Sequence, residues 1–143
     1  MKFPFKEVVF DGGTVIELLL SGEESELFNN ILNDNLIPIT TSLAIIETEY
    51  ILCRKIGKNK AFKKVDNLID SNYIKIQSLE HLIRDISNIK CNNTIALPDC
   101  ATIALASKNK IPALFARKEA ELKKPIENKT FNIKIFFLED LVT

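Results

Sequence analysis

The 143-residue sequence is poor in several groups that commonly announce a function. It has one histidine, His81, and nothing in the sequence sets a serine or cysteine beside it, so a Ser/His or Cys/His nucleophile mechanism finds no support. That residue lies in an ordinary amphipathic segment and reads as structural or solvent-facing. The three cysteines, Cys53, Cys91 and Cys100, are odd in number and lack CxxC spacing. They read as reduced, largely structural thiols in a cytoplasmic setting. Neither charge is in excess: 19 basic and 19 acidic residues cancel, which argues against a protein holding nucleic acid by bulk positive charge and leaves only a local basic patch. No apolar run approaches the roughly 20 residues of a membrane span. Met1-Lys2-Phe3-Pro4 lacks the long apolar segment of a signal peptide, so the sequons at Asn92 and Asn128 carry no weight.

What is present is the composition of a globular protein, 46% hydrophobic and 27% charged, at the size of one ordinary domain spanning residues 1–143. Short apolar runs alternate with helical periodicity. Glu7-Val8-Val9-Phe10 reads as a strand covered on both faces, stopped by Asp11-Gly12-Gly13. Helical spacing follows over 14–20 and 23–32, then a strand at 36–39 and a helix capped by the Thr40-Thr41-Ser42 cluster and ended by Gly57. A helix at 60–70, a strand at 73–76, a helix at 79–89, a helix opening at Pro98, a strand at 111–115, helical turns at 118–124 and a strand at 132–137 complete the pattern. Strands separated by helical segments require crossover connections. The expected fold class is therefore α/β, a mostly parallel sheet between two helical layers, with any ligand beyond the carboxyl ends of the strands.

Three acids stand out in that frame. Asp99 opens a helix, Pro98 to Ser107, that is apolar nearly all the way round. A carboxylate there needs hydrogen bonds, a positive helix end or a cation. Asp11 lies at the carboxyl end of the first strand. Glu47 sits on the helical face of Leu43, Tyr50, Ile51 and Arg54, although Glu49 is also flanked by apolar residues and spacing alone does not choose between them. Each acid has an ordinary explanation too: a turn residue for Asp11, a first-turn helix charge for Asp99, a partner of Arg54 for Glu47. The basic run Arg54, Lys55, Lys58, Lys60, Lys63 and Lys64 suits a phosphate backbone or a solvated helix face.

In order and spacing, Val9-Phe10-Asp11, the segment Leu43 to Arg54 with Glu47, and Leu97-Pro98-Asp99-Cys100-Ala101 resemble the PIN domains, a family of metal-dependent ribonucleases that includes toxins of prokaryotic toxin–antitoxin pairs. The resemblance implies a metal-dependent endoribonuclease. Asp11, Glu47 and Asp99 would be the metal-binding acids, and Mg²⁺ or Mn²⁺ suits a site built from carboxylates alone. It also implies an RNA substrate, an antitoxin partner and a homodimer. The N-terminal helices and the 60–70 helix offer surface for the dimer. Two positions depart from the family pattern. Gly12-Gly13 stand where a small hydroxyl residue usually follows the first aspartate, and Thr14 is the nearest hydroxyl. The fourth acid of the family falls at Arg117 in the shortest alignment, or at Glu119, with Glu121 beside it, after a shift of two. Glu119 is taken as the fourth catalytic acid, and Thr14, Arg54, Arg117 and Lys118 as substrate-binding residues. The alternative is a catalytically reduced PIN-like domain that binds RNA or protein.

Overall fold

Val8, Val9 and Phe10 are all fully buried, yet they do not share a neighbourhood. Side chains alternate across a strand. Val8 and Phe10 enter one apolar cluster with Val15, Leu18, Ile31 and Val65, while Val9 enters another with Ile86, Ile103, Leu105 and Phe115. The computed structural model describes residues 3–141 and shows the architecture that this division requires. Five strands, β1 (Glu7–Phe10), β2 (Ile37–Thr41), β3 (Lys75–Gln77), β4 (Ala113–Phe115) and β5 (Ile135–Phe137), form one sheet in the order β3-β2-β1-β4-β5. Every neighbouring pair is parallel.

Helices α1 (Gly12–Ser21), α2 (Glu26–Leu32) and α4 (Lys58–Ser71) contribute to the first cluster. Helices α5 (Ile83–Asn92), α6 (Leu97–Asn109) and α7 (Ala120–Glu127) contribute to the second. Helix α3 (Ser42–Ile56) joins the layers. Its Ile45 belongs to the first cluster, Leu43 packs against the second, and Leu52 meets Ile16 and Ala61 in a third. The result is a three-layer α/β/α fold with an all-parallel sheet. Among the described residues no helix is long and apolar enough to cross a membrane.

Helix α6 is the buried element that its composition predicts. Pro98 occupies its first turn, and every residue from Asp99 to Ala106 is buried. Ala101, Ala104 and Ala106 keep the helix thin enough to lie between the sheet and α5, since an alanine adds little bulk and loses no side-chain freedom. Cys100 is buried there as a free thiol, and Cys53 and Cys91 are also free. His81 is exposed in a 3₁₀ turn, Glu80–Leu82, ahead of α5.

Boundaries differ where local chemistry overrides periodicity. The helix expected at 23–32 is split: residues Gly22–Glu24 form a 3₁₀ turn, and the Ser25 hydroxyl then accepts from Phe28 N–H at 3.0 Å to start α2 afresh. The strand expected at 73–76 begins only at Lys75, because Asn72 ends α4 in the left-handed region. The strand expected at 132–137 pairs over Ile135–Phe137 alone, and a final helix, α8 (Leu138–Leu141), follows it directly.

The sheet order places the crevice. The chain leaves β1 toward β2 and β3, then crosses back to lay β4 on the other side of β1. Connections on the two sides of β1 diverge at the strands' carboxyl ends, which is where open parallel sheets bind ligands.

Candidate metal centre

Asp11 sits at that divergence. Its backbone N–H donates to Leu114 C=O at 3.1 Å, tying it to β4, and its carboxylate caps α1 by accepting from Thr14 N–H at 2.8 Å. The Ala116 N–H also reaches this carboxylate. Asp99 enters from α6, Glu47 from the middle of α3, and Glu119 from the residue that precedes α7. All four line one open cavity of about 240 Å³, together with Glu17, Ile51, Lys55, Ala96 and Arg117. No histidine or cysteine lines it.

The electrostatics are those of carboxylates forced together. Burial pushes Asp11 up to about 6 despite the hydrogen bonds from Thr14 and Ala116, and Glu47 adds to the rise. Burial is also the largest cause for Asp99, and Glu119, Asp11 and Glu47 reinforce it, lifting the group to about 8. Glu47 is raised by burial and by Glu119, and Glu119 by burial and by Glu121. Among the described residues none of these four acids forms an ion pair with lysine or arginine. The carboxylate oxygens of Asp99, Glu119 and Glu121 come within 4.8 Å of one another, and no other such trio occurs among the described residues. Glu121 additionally accepts from Ala96 N–H at 3.1 Å, linking α7 to the entry of α6.

A sequence profile of the PIN domain family matches residues 8–123. The chain belongs to the PIN domain family. The fold agrees with a chain in the crystal structure of DNA-bound VapBC from Salmonella typhimurium, at a TM-score of 0.65 over 92% of this chain and 96% of that one, with 13% identity. No curated protein matches the sequence.

The remaining residues singled out from the sequence of this PIN domain are distributed unevenly. Arg117 lines the cavity, between Ala116 and Glu119. Thr14 is fully buried beneath Asp11, its hydroxyl donating to Leu114 C=O at 3.0 Å, so it supports the site from below instead of facing a substrate. Arg54 lies over the Tyr50 ring, 5.1 Å from its centroid, and does not line the cavity. Lys118 is also outside it, paired with Asp140 at 3.0 Å. Four-residue steps along α3 from Glu47 lead through Ile51 to Lys55, and this stripe, not Arg54, meets the cavity. Glu17 was not anticipated, although Gly13 and Glu17 stand one helical turn apart on α1.

The two glycines after Asp11 have a steric explanation. A Cβ on Gly12 would collide with the Glu47 carboxylate and stand 3.3 Å from Ala44 C=O, while one on Gly13 would come within 2.9 Å of the Ala116 Cβ. The first turn of α1 is therefore pressed against α3 on one side and the β4–α7 loop on the other. A hydroxyl side chain at position 12 is incompatible with Glu47 where it now sits.

Proposed function

We propose that this PIN domain is a metal-dependent endoribonuclease that hydrolyses RNA phosphodiester bonds, with Asp11, Glu47, Asp99 and Glu119 holding Mg²⁺ or Mn²⁺. The observation that carries this reading is the convergence of four carboxylates on one cavity with, among the described residues, no cationic side chain paired to them. Two of these acids, Asp11 and Asp99, are buried and need a counter-charge, and an all-oxygen donor set fits a hard divalent cation. When bound, the ion would supply Lewis-acid stabilisation of charge on the scissile phosphate and acidify water in the site.

The chain's own groups prepare that chemistry. Two backbone N–H groups fix Asp11, and the first turn of α6 keeps Asp99 at the positive end of a helix, so neither carboxylate has freedom to turn away. Lys55 and Arg117 border the same cavity and can hold substrate phosphates beside the acids. The likeness to a VapBC chain supports a toxin held by an antitoxin, and a cytoplasmic homodimer built from one domain over residues 1–143 belongs to the same reading. The second reading, an RNA- or protein-binding domain with reduced catalysis, draws on Gly12 and Arg117 at positions where the family carries a hydroxyl and an acid.

The deciding measurement is cleavage of single-stranded and structured RNAs with Mn²⁺, with chelator, and by Asp11→Asn. Cleavage is expected only from the wild type with metal. Activity that survives both treatments excludes this site as its source, and Mn²⁺ binding without any cleavage selects the second reading. Arg117→Ala is expected to weaken RNA binding similarly across sequences and to lower the salt slope by about one; an unchanged slope removes Arg117 from the phosphate contacts.

Gly12→Ala tests the crowding. The added methyl must displace Glu47, and about a tenfold loss of Mn²⁺ affinity is expected, the scale seen when a ligand's orientation is disturbed. Calorimetric titration reads this directly. Full affinity in the variant would mean that Glu47 is not needed to hold the ion.

A further inference from the structure

Ala116, Arg117, Lys118 and Glu119 lie between β4 and α7 in no regular structure, yet three of them line the cavity. A connecting segment of this kind is ordinarily mobile, which would leave Glu119 poorly placed against Asp99. One residue of α8 restrains it at two points. The Glu139 N–H donates to Ala116 C=O at 3.2 Å, and the Glu139 carboxylate accepts from Lys118 N–H at 2.8 Å. Because both bonds end on the same residue, residues 116–118 cannot slide past α8 without losing both. Helix α8 is itself anchored by Leu138, which is buried in the first apolar cluster. On the opposite side the loop abuts Gly13, and the Ala116 N–H reaches Asp11.

We infer that Glu139 is a positioning residue for the acidic centre: it clamps the 116–118 backbone so that Ala116 supports Asp11 while Glu119 is presented to Asp99. The inference rests on the metal-centre reading above. Glu139 itself does not line the cavity.

Glu139→Ala, Glu139→Gln and Asp140→Asn separate the possibilities. In Glu139→Ala the Lys118 amide is expected to exchange with solvent roughly tenfold faster, as loss of a charge-assisted hydrogen bond predicts. Mn²⁺ affinity and kcat are expected to fall by about 10–100-fold, with KM for RNA little changed. Glu139→Gln keeps an acceptor oxygen and should recover most of both. Asp140→Asn breaks only the exposed pair with Lys118 and should change either by less than about twofold. In a Glu119→Gln background, Glu139→Ala should cost less than it does alone, because the part of its effect that runs through Glu119 is already gone and only the support of Asp11 remains to be lost.

Unchanged Lys118 exchange in Glu139→Ala overturns the inference. Faster exchange with intact Mn²⁺ affinity overturns it equally, as does full additivity with Glu119→Gln. If the wild type cleaves no RNA, the nuclease reading fails separately, and amide exchange together with Mn²⁺ affinity still decides the role of Glu139.

Discussion

Asp99→Asn is expected to lower RNA cleavage by about 10²–10³-fold or more and, in the metal-free protein, to raise the melting temperature. The two effects have one cause. Asp99 is buried in α6 and lies close enough to Glu119, Asp11 and Glu47 for all three to oppose its ionisation, so its carboxyl is lifted to about 8. Near pH 8 the folded chain holds a charge that water would solvate better, and an amide of nearly the same shape removes that burden. A gain of about 1–2 kcal/mol corresponds to roughly 3–6 °C for a protein of this size. The amide also removes an anionic ligand, so Mn²⁺ should no longer raise the melting temperature. Thermal melts of wild type and variant, with and without Mn²⁺, read both consequences. A lower melting temperature for the metal-free variant would mean that Asp99 serves chiefly as a stabilising charge at the start of α6.

Without metal, the protein is expected to melt at a higher temperature near pH 5.5 than near pH 8, and Mn²⁺ is expected to compress that difference. Asp11 is raised to about 6 and Asp99 to about 8, against 3.8 for an aspartate in the unfolded chain. Glu47 and Glu119 are displaced in the same direction. Across this interval the native state binds more protons than the unfolded state, so stability falls as pH rises. The stabilisation from holding these protons is complete below the unfolded values and is lost as pH passes about 6 and then about 8. A divalent ion competes for the same oxygens, so its affinity should grow over the same range. At 100 times its Kd the ion adds about 2.7 kcal/mol, worth several degrees, and this shift should be larger at pH 8 than at pH 5.5. A Mn²⁺ shift independent of pH would place the ion away from these acids.

The long elements and the acids at their ends were legible because their signals are local. Three buried β1 residues followed by an aspartate, and an alanine-rich helix opening on Pro98-Asp99, each declare their place within a few residues, whereas the choice of Glu47 over Glu49 on α3 is made by the cavity that Glu47 lines. What sequence did not convey depends on distant partners. Arg54 is drawn onto Tyr50 and Lys118 onto Asp140, so Lys55, its neighbour, is the basic residue of α3 that reaches the cavity. Thr14 looks like the hydroxyl that the site lacks, but it is fully buried and its hydroxyl donates to the Leu114 carbonyl, 100 residues away. The three-residue strands β3, β4 and β5 are too short for periodicity to bound, and their limits are set by pairing with β2, β1 and one another. The need for glycine after Asp11 became intelligible only once Glu47 and Ala116 were seen on either side of it.

The adjacency of β1 and β4 carries a consequence for how such a protein is made. Thr14 bonds Leu114, and Asp11 leans on Ala116, across about a hundred residues of intervening chain. Contacts so distant in sequence form late, because a long loop must close before they return any stabilisation. A chain still being synthesised has Asp11 and Glu47 in hand early but no wall opposite them until β4 and the segment bearing Glu119 have emerged and docked. The acidic centre is thus assembled only once β4 and the segment bearing Glu119 have docked on β1, late in the making of the chain.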